Sequence, residues 1–206
     1  MALATYTNLK AAIATWIDYS TLTTEIVDFV TLAEKRIKRD IRDRKMIARA
    51  TATLLTTGRY IAVPSDFVAV KQFQLNTDPQ RTLQFVDEDT INLHHSSTSG
   101  KPYYFTITGD EFQFEKTPDS AYTAEITYYK YNELVATTNE TNELFPYYSE
   151  LFLHASLVEA YRFLMDNENM MAHDQLYRQY LEDAKQNNRS ASISEGQLVR
   201  MTDSVE

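Results

Sequence analysis

The hydrophobic period of this 206-residue chain changes twice, from helical to alternating and back, and that succession limits the fold to helices, then strands, then helices. In the first stretch, Thr7 is positioned to cap a short helix whose Leu9, Ile13, Trp16 and Ile17 share a face. A turn through Tyr19–Thr23 leads to a longer helix, about Thr24 to Lys45. There Ile26, Phe29, Val30, Ala33, Ile37 and Ile41 keep the helical period. Lys35, Lys38, Arg39 and Arg42 fall opposite that stripe, and Arg36 and Asp40 sit on its flank at i,i+4. Glu34 with Lys38 and Arg39 with Asp43 share that spacing elsewhere.

From Thr51 the pattern belongs to strands. Thr51–Thr57, Tyr60–Val63, Phe67–Leu75, Thr82–Val86, Tyr103–Thr108, Glu111–Glu115 and Ala121–Tyr131 are rich in Thr, Val, Ile, Phe and Tyr, with turn residues between them. Thr108-Gly109-Asp110-Glu111 reads as a hairpin connection, Asp87–Leu93 as a short helix and His94–Lys101 as a loop. Helix resumes near Pro146, a favoured first helical residue, and Leu151, Ala155, Val158, Phe163 and Leu164 fit a buried helix ending near Met165. Asp166-Asn167 breaks it before a last helix carrying Met170, His173, Tyr177, Tyr180, Leu181 and Ala184. The expected class is α+β. Residues 1–50 and 145–186 form a helical bundle, residues 51–144 an inserted antiparallel β lobe, and residues 187–206 a flexible polar tail. In that tail Ile193, Leu198, Val199 and Met201 are the apolar points.

Charge is unevenly placed. The chain carries a net charge of −9, yet residues 34–49 hold eight basic side chains against three acids, so the remainder stands at −14. The overall balance argues against a generic nucleic-acid coat, and the asymmetry points to a charged contact surface. A solvated helix face is the plainer reading of the same run. The candidates on this surface are Lys35, Lys38, Arg39, Arg42, Arg44 and Lys45. Tyrosine is also abundant, with 14 residues, six of them between Tyr103 and Tyr131. Core packing accounts for most of these rings. The neighbours Tyr103–Tyr104 and Tyr128–Tyr129 should each divide between two sheet faces, leaving rings for a protein interface.

Little supports catalysis. The absence of cysteine removes disulfides, thiolate metal sites and cysteine nucleophiles. Four glycines leave no phosphate-cradling loop, and no Gly-x-Ser-x-Gly elbow exists. His94-His95 lacks the spacing of metal ligands, and His154 and His173 lie on separate helices as core or surface residues. No catalytic residue, metal or cofactor is expected. No run is long and apolar enough to span a membrane, and MALATYTNLK has no basic stretch leading into an apolar one, so no secretory leader is expected.

Several segments, in order, resemble bacteriophage head-to-tail adaptors of the tail tubular protein A-like group. The first is the helix from Asp28 to Arg42, DFVTLAEKRIKRDIR. It is followed by Arg49-Ala50-Thr51-Ala52-Thr53, by Gly58 to Phe67 (GRYIAVPSDF) and by Gly100-Lys101-Pro102-Tyr103-Tyr104. Pro118 to Thr123, Tyr128-Tyr129, and Leu157, Glu159 and Ala160 complete the set. The resemblance covers roughly residues 5–186. It implies a structural virion protein, repeated in a twelve-fold ring between portal and tail nozzle, through which DNA passes without sequence-specific binding. By analogy, Lys35, Lys38, Arg39 and Arg42 would face an acidic neighbour or portal, and the tail would order against the portal. An acidic lumen would repel DNA and let it slide. The alternative is a nucleic-acid-binding module using the basic helix 34–49, whose affinity would fall steeply with salt. A glycan hydrolase would need a partner carboxylate for Asp87 or Glu88.

Overall fold

The computed structural model describes residues 3–18, 22–135 and 138–192, with side chains through residue 190. The class is α+β, and the chain divides into two compact units. One runs to Lys45 and resumes at Asn132, and the other is Met46–Tyr131.

The first unit is a helical bundle of α1 (Tyr6–Ile17), α2 (Thr23–Asp40), α4 (Ser149–Phe163) and α5 (Asn167–Ser192). Helix α4 packs against the other three, and every residue from Leu151 to Val158 is buried. It therefore carries no single apolar stripe, as suits a helix enclosed all round. The other helices bury one side each: Leu9, Ile13 and Ile17 on α1, Ile26, Phe29, Val30, Ala33 and Ile37 on α2, Tyr177, Leu181 and Ala184 on α5.

Helix boundaries differ from the sequence reading, for local reasons. Thr5, not Thr7, caps α1, its hydroxyl accepting the Asn8 N–H at 3.2 Å. Thr7 instead donates from its hydroxyl and its N–H to Glu140 at 2.8 and 3.1 Å. Trp16, placed by spacing on the apolar face, is half exposed. Helix α2 stops at Asp40, before the expected Lys45. Ile41 turns to extended backbone, and the Arg42 guanidinium folds back to donate to the carbonyls of Lys38 and Ile41. A short 3-10 turn, Arg44–Met46, follows. Pro146 lies in a turn ahead of α4 rather than at its first residue. That turn is held by the Asn142 side chain, which accepts from the N–H groups of Leu144 and Phe145 at 3.0 and 2.8 Å. Phe163, expected inside, is 55% exposed at the α4–α5 corner. Helix α5 runs through Ser192, into the expected tail, and Asn188 braces it by accepting from the Arg44 N–H and donating to the Arg42 carbonyl, at 3.0 and 2.9 Å. Ile193, Leu198, Val199 and Met201 lie outside the described residues.

The second unit is a two-sheet sandwich. Its strands are β1 (Ile47–Leu54), β2 (Tyr60–Ala62), β3 (Phe67–Leu75), β4 (Arg81–Thr82), β5 (Gln84–Phe85), β6 (Tyr104–Thr108), β7 (Glu111–Phe114) and β8 (Tyr122–Lys130). Helix α3 (Glu88–Leu93) follows β5, capped by Asp87, which accepts the Thr90 N–H at 3.1 Å. One sheet has the order β1-β8-β3-β4 and the other β2-β7-β6-β5. Strand β1 starts earlier than expected because all of Ile47–Leu54 pairs with β8, placing Ala48 and Ala50 against the core. The expected strand Thr82–Val86 breaks at buried Leu83. Arg81–Thr82 pair with β3 in one sheet and Gln84–Phe85 with β6 in the other, so a single segment turns the corner between sheets. The β5–β6 pair is parallel, which makes the second sheet mixed rather than antiparallel throughout. Gly109, at φ +60, begins the two-residue β6–β7 loop, where L side chains fit poorly. Between the sheets Phe73 meets Phe105, Phe112 and Phe114 at ring-centroid distances of 5.0, 5.1 and 5.8 Å.

Candidate functional site

On the helical unit, α2, α4 and α5 line an open cleft of about 770 Å³. Its origin is the spacing of α2. With Ile26, Val30, Ala33 and Ile37 buried, Leu32, Lys35 and Arg39 at i, i+3 and i+7 turn together to the opposite side. Leu32 is 49% exposed and Met171 67%, and with half-buried Met170 they supply apolar surface above the buried Val158. Five basic and three acidic side chains share the lining, a surplus of two positive charges.

Most of those charges are already engaged. The Arg36 guanidinium lies 4.0 Å over the Tyr177 ring and donates to Asp174 at 2.6 Å, with Asp40 at 3.9 Å. Arg178 donates to the other Asp174 oxygen at 2.7 Å. Burial pushes the Asp174 carboxyl up, but Arg36 and Arg178 outweigh it and hold the group below its ordinary value. Tyr177 donates to Asp40 at 2.7 Å, and burial together with that bond raises the phenol's pKa. Arg162 pairs with Glu159 at 2.6 Å. Among the described residues, Lys35 and Arg39 alone of the cleft's basic groups have no hydrogen bond or ion pair, and both are exposed.

The six basic candidates therefore separate. Lys35 and Arg39 enter the cleft, and Lys38 is half buried outside its lining. Arg42 closes the end of α2, so it does not continue the helical face the wheel assigned it. Arg44 follows in the 3-10 turn, and the Lys45 ammonium sits 3.8 Å over the Tyr147 ring. Asp43, paired by spacing with Arg39, is instead buried, accepting from the Tyr148 hydroxyl at 2.9 Å and the Lys45 N–H at 2.8 Å.

The tyrosine candidates also need correction. Tyr128 is a core residue of the β unit, 5% exposed, its hydroxyl donating to Asp66 at 2.9 Å. Burial and that bond push its pKa up to about 12. Tyr129 is half buried. Tyr103 and Tyr104 do not divide between faces, since their rings meet edge to face at 4.8 Å. Buried Glu115 accepts both their backbone N–H groups, at 2.7 and 2.9 Å, and Tyr103 precedes the strand that begins at Tyr104. Tyr103 remains exposed, its hydroxyl bonded to Gln84.

Two histidines that sequence left on separate helices meet inside the bundle. The Nδ1 atoms of His154 and His173 lie 3.0 Å apart, so one ring donates and the other accepts. Trp16 packs on both rings at 5.9 and 5.7 Å. Burial, then the neighbouring imidazole, pushes His154 down to about 4, and burial lowers His173 as well. Among the described residues no group of three or more metal-ligating side chains occurs. His94 stacks on Tyr104 and the His95 Nδ1 lies 3.0 Å from the Glu115 carbonyl. Asp87 is occupied as a helix cap. No helix among the described residues is long and apolar enough to cross a membrane.

The helical unit thus presents a basic, partly apolar cleft, and the other unit is a β sandwich. The sequence profile of the SU10 adaptor protein family matches residues 4–200, and the chain belongs to that family of phage adaptors. As such it is a component of the virion that joins other head and tail proteins. No curated protein matches the chain.

Proposed function

We propose that this adaptor, close within its family to the tail tubular protein A-like group, is a head-to-tail connector. Twelve copies form a ring joining the portal to the tail nozzle, and DNA passes through the lumen without sequence-specific binding. The role is structural. The observation carrying this reading is the cleft, where Lys35 and Arg39 stand unpaired beside exposed Leu32 and Met171 on a chain of net charge −9. Exposed apolar surface joined to unpaired charge suits an acidic protein face. Lys38, Arg42, Arg44 and Lys45 border this surface in sequence, and Tyr103 offers a second contact on the β unit.

The basic run 34–49 does not form one continuous helical face, because α2 ends at Asp40 and Arg36, Arg42 and Lys45 turn to partners within the chain. That arrangement disfavours the nucleic-acid-binding alternative, which needs a row of basic groups along a phosphate backbone. Native mass measured on this chain mixed with its cognate portal ring tests the proposal. A discrete complex with twelve added copies is expected, and no association between the two folded proteins would refute it.

A further inference from the structure

The cleft pairs two features that rarely stay uncovered together: apolar Leu32, Met170 and Met171, and the unpaired cations Lys35 and Arg39. Its complement is present in the same chain. Residues 193–206 carry Glu195, Asp203 and Glu206 against the single Arg200, and interleave them with Ile193, Leu198, Val199, Met201 and Val205. This segment is acidic where the cleft is basic, and apolar at intervals as the cleft is.

The distances allow the two to meet within one molecule. Helix α5 lines the cleft from Met170 to Arg178 and runs on to Ser192. At a rise of 1.5 Å per residue, Ser192 lies ~21 Å along the helix from Arg178 and ~33 Å from Met170. Fourteen residues at full extension span up to ~46 Å, enough to return along the whole cleft. A segment tethered in this way acts at an effective concentration in the millimolar range, well above any second copy at the micromolar concentrations of a dilute subunit.

We propose that the cleft is the resting site of the chain's own segment 193–206, which covers Lys35 and Arg39 in the free subunit until an acidic partner surface displaces it. The proposal rests on reading the cleft as a docking surface. It concerns the isolated subunit, so its failure would leave the portal-binding test of the connector reading unaffected. A covered cleft keeps free subunits from associating through exposed Leu32 and Met171, and it makes the partner compete for the site.

The absence of cysteine permits a direct test in the full chain. A nitroxide attached through Ser204→Cys should broaden and weaken the backbone amide signals of Lys35, Arg39, Met171 and Gln175 in the isotope-labelled protein. Lys35→Glu with Arg39→Glu, both at exposed positions, should restore those signals while the rest of the spectrum stays folded. A folded spectrum with no broadening at these amides would overturn the proposal. So would broadening confined to a mixture of isotope-labelled molecules with separate nitroxide-bearing ones, because the segment would then occupy a second copy.

Discussion

The β unit and the helical unit both bury an apolar core, and they differ in the contacts made inside it. Between the sheets, Phe73 meets Phe105 edge to face and Phe112 and Phe114 at a tilt, and the outer face of one sheet carries a polar cluster on Glu125, joined by Arg49, Gln74 and Asn76. The helical unit brings titratable groups into contact with one another and with distant backbone inside its apolar packing. Buried Glu34 accepts the Leu134 N–H at 3.0 Å, Asp43 holds Tyr148, and His154 meets His173. Ring packing depends on shape and volume, whereas buried polar groups stabilise only when each partner is present in the right protonation state. The contacts between the sheets should therefore respond to side-chain volume, and the His154–His173 contact of the helical unit should respond to pH as well.

The largest effect should come from volume. Phe73→Ala removes the ring that meets three others, and a loss of about 3–5 kcal/mol is expected in chemical denaturation, the same at pH 7 and pH 5.5. A loss that depended on pH would undo the contrast. Acid comes next. His154 is held near 4 in the folded chain against an ordinary 6.5, so the unfolded chain binds more protons between those values. Stability of the helical unit is complete above pH 6.5 and falls as pH drops toward 4, by about 2–3 kcal/mol. The fluorescence of Trp16, beside both histidines, reports this unit, and an unfolding midpoint that stayed constant from pH 7 to 4.5 would contradict the assignment.

Two tyrosine–aspartate pairs sharpen the comparison at smaller scale. Tyr148→Phe leaves buried Asp43 without its hydroxyl donor and should cost about 1–2 kcal/mol. Tyr122→Phe removes a bond to exposed Asp119 in the β unit, where water replaces the lost donor, and should change stability by less than about 0.5 kcal/mol. Equal costs would mean that burial does not govern these pairs. Helix caps should not separate the units at all. Thr5→Ala at α1 should cost about 1 kcal/mol in thermal unfolding, and Asp87→Ala at α3 should lower the midpoint in the same direction.

The periodicity of the chain made most of its architecture legible, because helix and strand periods depend only on neighbouring residues. What it could not show came from contacts distant in sequence. The expected continuation of α2 to Lys45 is ended by Arg42 and braced by Asn188, 146 positions away from Arg42. The break at Leu83 depends on two sheets being present to receive its flanking pairs. Packing accounts for most tyrosines, but spacing gives no sign that Tyr122, Tyr128, Tyr148 and Tyr177 each donate to an aspartate. Lys35 and Arg39 were readable from the wheel, and so was Leu32 at the same spacing. Its exposure became meaningful only when Met170 and Met171 were found across the cleft. The His154–His173 contact has no local signal, since nothing in spacing tells which faces of α4 and α5 meet.

The proposed connector role, with Lys35 and Arg39 unpaired in the cleft, predicts that the portal is met on the helical unit rather than on the β unit. Native mass with the cognate portal ring, run in parallel on Lys35→Glu/Arg39→Glu and on Tyr103→Ala, tests this directly. The charge-reversed protein should lose the added copies while the Tyr103 variant retains them. Binding that survived charge reversal and vanished with Tyr103→Ala would move the docking surface to the β unit and contradict the cleft's role.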